Sequence, residues 1–249
     1  MRLVERHIIQ PNHRFYQSID RLCFFSKNLY NYANYLIRQS FIYKRIYRHY
    51  NDIQKTLQHT EVYKALPAKV SQQILMVLDR NWRSFLAANK IAKDKEDKFL
   101  GRPKLPKYKN KETGRNLLVY TNQALSKPQL KQGIINPSQT QIYLKTKIDS
   151  SKIKQVRIVP RLNHYVIEVI YEAVAKNYQL EENNRASIDI GLNNLATLTF
   201  NQAGIKPILI NGRPLKSINQ YYNKVRGNLQ AVLPENQSSK RLKKLCKKR

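Results

Sequence analysis

The hydrophobic period changes partway along this chain, and that change limits the fold more than any single residue does. Early on, apolar residues recur every three or four positions. Leu22, Phe25, Leu29, Tyr32 and Leu36 share one face of a helix predicted to start near Ser18, and Val70, Ile74, Leu75, Leu78, Trp82, Phe85 and Leu86 do the same in a helix opened by Pro67. Both stripes are expected to be core seams, with Trp82 packed inside, and the two helices to form an antiparallel helical unit. From Leu117 the spacing shortens to β-like runs at Leu117 to Thr121, Gln141 to Lys147, Ile153 to Val159 and Tyr165 to Tyr171, punctuated by Pro128, Gly133, Pro137 and Pro160. A small antiparallel sheet or barrel fits them. Ile8 and Ile9 also suit a strand, so the N-terminal segment is expected to join that sheet, with the helices as an insertion. A second β cluster follows at Ser187 to Ile190, Leu195 to Phe200 and Pro207 to Ile210, and the stretch from about Lys216 leans to helix.

Charge narrows the partners. Among 249 residues there are 46 Lys+Arg and 16 Asp+Glu, a formal charge of +30. A compact body with this excess repels itself, and a polyanion relieves the repulsion. Nucleic acid leads; an anionic membrane surface and a ribosomal-type role are the alternatives. The N-terminal MRLVERHIIQ has no apolar run of signal-peptide length, and VIEVIYEAVA is interrupted by Glu168 and Glu172, so a soluble, cytoplasmic, nucleoid-associated protein is expected. Cys23 and Cys246 lie at opposite ends, which gives neither a disulfide framework nor a zinc spacing, and the five histidines show no HExxH pattern.

Two segments suit a polyanion. Lys93 to Arg115 holds nine basic and four acidic residues with few apolar ones, and its centre, GRPKLPKYK, sets Arg102, Lys104, Lys107 and Lys109 around Tyr108 while Pro103 and Pro106 fix the backbone. It is either a cationic contact loop or a solvated linker. Between Phe41 and Tyr50, Tyr43, Tyr47 and Tyr50 alternate with Lys44, Arg45 and Arg48, which suits either base stacking or packing on a helical neighbour. Further cations follow at Lys216, Lys224 and Arg226, and at Lys240, Arg241, Lys243 and Lys244 within the basic C-terminal ten residues.

The segment SIDIGLNNLATLTF carries the chemistry. Ile188 and Ile190 flank Asp189 on a strand, Gly191 allows a sharp change of direction, and a second strand follows at once, so one carboxylate is placed on a sheet pair where a hard divalent cation could sit. Turns use the same residues.

This segment resembles the first nuclease motif of the transposon-encoded RNA-guided nucleases of the insertion-sequence 200/605 group, the OrfB or TnpB-like "transposases" related to type V CRISPR effectors. LPAKVSQQILMVLDRNWRSFL is similar to that family's N-terminal helical segment, GRPKLPKYK to its basic Pro-containing motif, and INGRPLKSINQYYNKVR to the segment after its first nuclease strands. The resemblance implies an α+β fold: a wedge-type antiparallel β-barrel over residues 1–183, with a helical insertion at about 12–92 and the basic loop at 93–115, then the N-terminal part of an RNase H-like, RuvC-type domain over 184–249. It also implies guide-type RNA and DNA as partners, with sequence read by base pairing, and Mg²⁺-dependent hydrolysis with Asp189 as catalytic residue and metal ligand.

The chain departs from that pattern in its carboxylates. Between Ile190 and Arg249 the one acidic residue is Glu235, in LPENQSS, set against twelve Lys+Arg, and the four-cysteine zinc ribbon has no counterpart. The expectation is a C-terminally truncated member that binds nucleic acid and does not cut DNA alone, with Ile188, Ile190, Leu195 and Leu198 as exposed apolar edges. The alternative is a non-catalytic RNA/DNA-binding protein or repressor.

Overall fold

The computed structural model describes residues 1–94, 101–175, 183–234 and 237–248. The chain divides into two compact units, Met1–Val174 and Ala175–Arg249. The fold is α+β, and every strand pair is antiparallel.

In the first unit, β1 (Arg2–Ile9) leads into α1 (Tyr16–Lys44), α2 (Tyr50–Leu57), α3 (Glu61–Lys64) and α4 (Ala68–Asp94) before the chain returns to strand at β2 (Leu118–Thr121). After α5 (Lys127–Lys131), β3 (Ile134–Ile135) and β4 (Leu144–Lys145) come the long strands β5 (Ile153–Pro160) and β6 (Tyr165–Glu172). The main sheet runs β1-β6-β5-β2, so the N-terminal strand does pair within it and the helices are inserted between its two edge strands, β1 and β2. Strand β6 lies between β1 and β5, and Tyr165, Val166, Ile167, Val169 and Ile170 are all buried, which is why its residues do not alternate in and out. At the β1 edge, Arg2 and Arg6 stand opposite Glu172 and Glu168 and pair with them.

The sheet is open among the described residues, whereas the resemblance implied a barrel. Beyond β2 the chain turns through a 3₁₀ segment at Asn122–Ala124 and through α5, and β3 pairs with β4 in a separate two-residue ladder. The link back to β1 is a side-chain one: the Thr146 hydroxyl donates to the Glu5 carboxylate at 2.7 Å.

The α1 seam is set one step round the helix from the expected stripe. Ile19, Cys23, Leu29, Tyr30, Ala33 and Ile37 are the buried apolar positions, so Leu29 of the expected stripe is in the core, while Leu22, Phe25 and Leu36 are partly buried and Tyr32 is exposed. Helix α4 keeps its expected face, with Val70, Ile74, Leu75, Leu78 and Trp82 buried. Trp82 meets Phe41 and Phe85 edge-on. The Tyr43 to Tyr50 group divides: Tyr47 donates its hydroxyl to the buried Asp79 at 2.7 Å, the Tyr50 amide donates to the same oxygen, and Tyr43 points out.

The inserted helices are fastened to the sheet by charge. Asp20 of α1 accepts two bonds from the Arg115 guanidinium, at 2.8 and 2.7 Å, and a third from the Tyr165 hydroxyl of β6. Arg115 first, and then Tyr165, hold the Asp20 carboxyl below the usual aspartate range against a desolvation that opposes them. A lowered folded-state pKa gives stability that is present above the unfolded value and lost as pH falls through the folded one. Asp20→Asn is therefore expected to cost about 1 kcal/mol at neutral pH and progressively less below about pH 4, where the wild-type carboxylate also protonates. Urea unfolding of both proteins at pH 7 and pH 3 measures the difference; an equal gap at both would refute this account.

The second unit holds a three-stranded sheet in the order β7-β8-β9 (Ala186–Asp189, Asn194–Phe200, Ile208–Asn211), then α6 (Arg213–Ala231) and α7 (Lys240–Lys248). The register sorts its faces. Ile188, Leu198 and Ile208 stand opposite one another, with Ala196 and Ile210 two residues along, while Ser187, Asp189, Thr197 and Thr199 take the other side. Ile188, Ile190 and Leu195 are exposed, and Leu198 is partly covered. Tyr222 of α6 is buried, and its hydroxyl lies 3.2 Å from the Cys246 sulfur of α7. No helix among the described residues is long and apolar enough to cross a membrane.

Candidate nucleic-acid interface

The basic segment is held, residue by residue, along one face of α1. Asn34 donates from its amide to the Pro106 carbonyl at 2.9 Å, and Arg38 reaches the same oxygen at 3.4 Å. Asn31 makes two bonds to one residue: its amide donates to the Lys109 carbonyl and its carbonyl accepts the Lys109 amide, both at 2.9 Å, as a neighbouring strand would. The Tyr30 hydroxyl donates to the Lys107 carbonyl and the Lys27 ammonium to the Lys111 carbonyl.

These helix positions recur at spacings of three and four, so they form one row. The row runs from Lys27 to Arg38 as the segment runs back from Lys111 to Pro106. Eleven helical residues rise about 16 Å and five extended residues span the same about 16 Å, so the two backbones stay in step over the whole contact. This match makes a row of donors out of ordinary helix positions.

What the row holds is buried on one side and charged on the other. Pro103, Leu105 and Pro106 are half-buried, and Leu105 packs against the core. Arg102, Lys104, Lys107 and Lys109 are exposed. The Arg38 guanidinium lies over the Tyr108 ring at 4.8 Å, and the Lys109 ammonium over Tyr30 at 5.6 Å. Residues 101–111 are thus an ordered cationic strap, and the solvated-linker alternative falls for them. Residues 95–100 of the expected basic loop lie outside the described residues.

The row is anchored inside the protein by Asn34. Its side-chain carbonyl accepts the Trp82 indole N–H of α4 at 2.9 Å while its amide holds Pro106, and both Asn34 and Trp82 are fully buried. Sequence reading missed Tyr30, Asn31, Asn34 and Arg38. The available signal was Asn28, Asn31 and Asn34, three asparagines spaced three apart inside a long helix, where asparagine is a poor helix former and competes for backbone groups.

In the second unit, Asp189 is exposed at the end of edge strand β7, opposite Thr197. The chain then turns through Gly191, whose amide donates to the Asn194 carbonyl at 3.1 Å. This turn is fixed to the start of α6: the Gly212 amide donates to the Asn193 carbonyl at 2.8 Å, and the Lys216 ammonium to the Asn193 side-chain oxygen at 3.1 Å. Glycine suits this position, because a Cβ would lie a tight 3.0 Å from both the Leu192 carbonyl and the Leu195 amide.

Mg²⁺, which the resemblance implies, does not fit the donors gathered here. A two-ion centre needs several converging carboxylates, and an isolated one leaves Mg²⁺ mostly in its own waters. No group of three or more metal-ligating side chains occurs among the described residues, and the residue paired with Asp189 across the sheet is Thr197. Glu235 lies outside the described residues.

The remaining cations are distributed by helical phase. On α6, Lys216 and Lys224 lie on the side opposite the stripe of Leu215, Ile218, Tyr222, Val225 and Leu229, whereas Arg226 falls beside that stripe. On α7, Lys240, Arg241 and Lys244 share one exposed face, opposite Leu242 and Cys246, and Lys243 is half-buried.

Comparison with known proteins bears on the C-terminal third. Residues 164–249 match the family OrfB_IS605, described as a probable transposase. The match begins at the strand that lies between β1 and β5 and continues through the Asp189 segment to the C-terminal residue. Among curated proteins nothing matches. Among solved structures, a Cas12f1–sgRNA–target DNA complex aligns at 12% identity and a TM-score of 0.35, over 99% of this chain and 64% of that one. A CRISPR-Cas12f ternary complex aligns at 10% identity and 0.34, over 93% and 56%. The chain therefore spans less than two thirds of the length of either.

Proposed function

We propose that this chain, whose residues 164–249 match the OrfB_IS605 family of probable transposases, is a transposon-encoded nucleic-acid-binding protein of the RNA-guided nuclease lineage. Its partners are a guide-type RNA and DNA. In this reading the first unit is a wedge-type module with its helical insertion, and the second is the N-terminal part of an RNase H-like, RuvC-type domain in which Asp189 belongs to the first nuclease motif.

The observation that supports it best is the cationic strap. Four exposed basic residues on a backbone that is already ordered make phosphate contacts without first ordering a loop. With a net charge of +30, such a surface binds polyanions strongly, and base pairing by a guide supplies the sequence preference that a row of lysines lacks.

The reading goes as far as binding, because Asp189 is the one carboxylate on its face of the sheet. The test is a titration with RNA transcribed from the end of the encoding element and with a shuffled RNA of equal length. The element's RNA is expected to bind at least tenfold more tightly at physiological salt. Asp189→Ala should leave its affinity within twofold, since the exposed carboxylate contributes no attraction to phosphate. Equal affinity for the two RNAs would overturn the guide assignment and leave a general cationic binder.

A further inference from the structure

Helix α1 has an exposed aromatic flank next to the row that holds the strap. Tyr32, Tyr35 and Tyr43 are 41%, 48% and 76% exposed, and Tyr108 on the strap is 44% exposed. These rings keep a large part of their surface open beside one cationic segment, and that open ring surface is area on which a base can stack. Successive helical residues are about 100° apart, so Tyr32 and Tyr35 each follow a strap-holding asparagine, Asn31 and Asn34, and fall on one flank of the row. Tyr43 lies further round the helix, about 160° from the row. The hydroxyls of Tyr32, Tyr35 and Tyr43 have no hydrogen-bond partner among the described residues. Tyr32 and Tyr35 are separated by about 4.5 Å along the axis, a separation that neighbouring bases of a single strand can span. Beyond Tyr43 an open groove is lined by Lys44, Ile46, Arg48, Asp52 and Lys55.

Aromatic faces beside a line of cations are the physical requirement for a single strand: rings take the bases and ammonium groups take the phosphates, without sequence preference. A protein partner that covered the same helix would have to be strongly acidic as well as apolar, because the adjoining row carries Arg38 and holds a strap with exposed Lys104, Lys107 and Lys109. We propose that α1 and the strap together form a track for single-stranded nucleic acid, in which Tyr32 and Tyr35 stack on unpaired bases while Lys104, Lys107 and Lys109 follow the phosphates. The proposal rests on the nucleic-acid-binding reading above and specifies the form of polymer that this surface takes.

The test uses the whole chain and fluorescent 12-mers: oligo-dT, oligo-U, and an oligonucleotide of the same length whose sites are abasic. Tyr32→Ala combined with Tyr35→Ala is expected to weaken oligo-dT and oligo-U binding about tenfold or more, with the salt slope unchanged because no phosphate contact is lost. The abasic probe should bind the wild type and the double variant alike, within twofold. Tyr32→Phe with Tyr35→Phe should keep the wild-type affinity, since the ring and not the hydroxyl is used, and this variant also guards against a folding defect. An alanine variant that binds oligo-dT within twofold of wild type would overturn the proposal, as would equal losses on base-bearing and abasic probes. Self-association that disappears in the alanine variant while oligo-dT binding is unchanged would also overturn it, and would assign the flank to a second copy of the chain. If replacing the strap lysines changes neither affinity nor slope, the nucleic-acid reading itself fails, a result distinct from all of these.

Discussion

Replacing Lys104, Lys107 and Lys109 together with alanine is expected to lower nucleic-acid affinity at least tenfold at low salt and to flatten its salt dependence. Each lysine that neutralises a phosphate releases a counterion, so the slope of log affinity against log salt falls by about 0.9 per contact on duplex and about 0.7 on single strands. Three lost contacts reduce the slope by about two to three, a change large enough to read from anisotropy titrations between about 50 and about 200 mM salt. Stability should barely change, within about 0.5 kcal/mol, because the three side chains are exposed. The strap is held through the backbone groups of Pro106, Lys107 and Lys109, which alanine retains. A charge-conserving triple arginine variant should restore the slope. Unchanged affinity and slope in the alanine protein would show that the strap faces solvent and not a polyanion.

How far the sequence discloses this arrangement depends on how local the cause is. Strand β6 is legible because it is a short, nearly continuous apolar run, and helices α1 and α4 and strand β5 because their apolar residues repeat with the period of the element they form. The buried Trp82 is legible for the same reason. Tyr32 is not, because its place on the expected stripe is overridden by the neighbours available: the seam that meets α4 and the sheet runs through Ile19, Cys23, Tyr30, Ala33 and Ile37, which turns Tyr32 outward. The open sheet is illegible too. Local pattern fixes strands but not whether the last one reaches the first, and here a Thr146–Glu5 side-chain bond stands where a backbone ladder would close a barrel.

The candidate site shows the same division. The cations of GRPKLPKYK are visible in the sequence, but whether they form an ordered strap or a solvated linker depends on partners more than 65 residues away in the chain, with separations of 72 for Asn34 and Pro106 and 78 for Asn31 and Lys109. No local pattern contains that information. For Asp189 the strand and the turn are legible from Ile188, Ile190 and Gly191, while its position on an edge strand emerges only from the β7-β8-β9 order.

Asn34→Ala is expected to be the most damaging substitution in the row that holds the strap, with a loss of about 2–4 kcal/mol. The sequence term alone points the other way, since alanine is the better helix former by about half a kilocalorie. The buried hydrogen bonds decide the sign. Without the Asn34 side chain, the Trp82 indole N–H loses its acceptor in a fully buried place, and the Pro106 carbonyl loses its shorter donor, with Arg38 left at 3.4 Å. Each buried polar group left unpaired costs about 1–3 kcal/mol, and a small cavity beside Trp82 adds to it. Asn31→Ala removes the same number of bonds at an exposed position, where water replaces them, and should cost under about 1 kcal/mol. Urea unfolding measures both. Hydrogen exchange separates the roles further: in Asn34→Ala the amides of the strap, Lys109 above all, should exchange faster than in wild type under conditions where the core of α4 remains protected. Equal stability losses for the two substitutions would mean that burial does not set the cost, and that Asn34 is one more rung of the row and not its anchor.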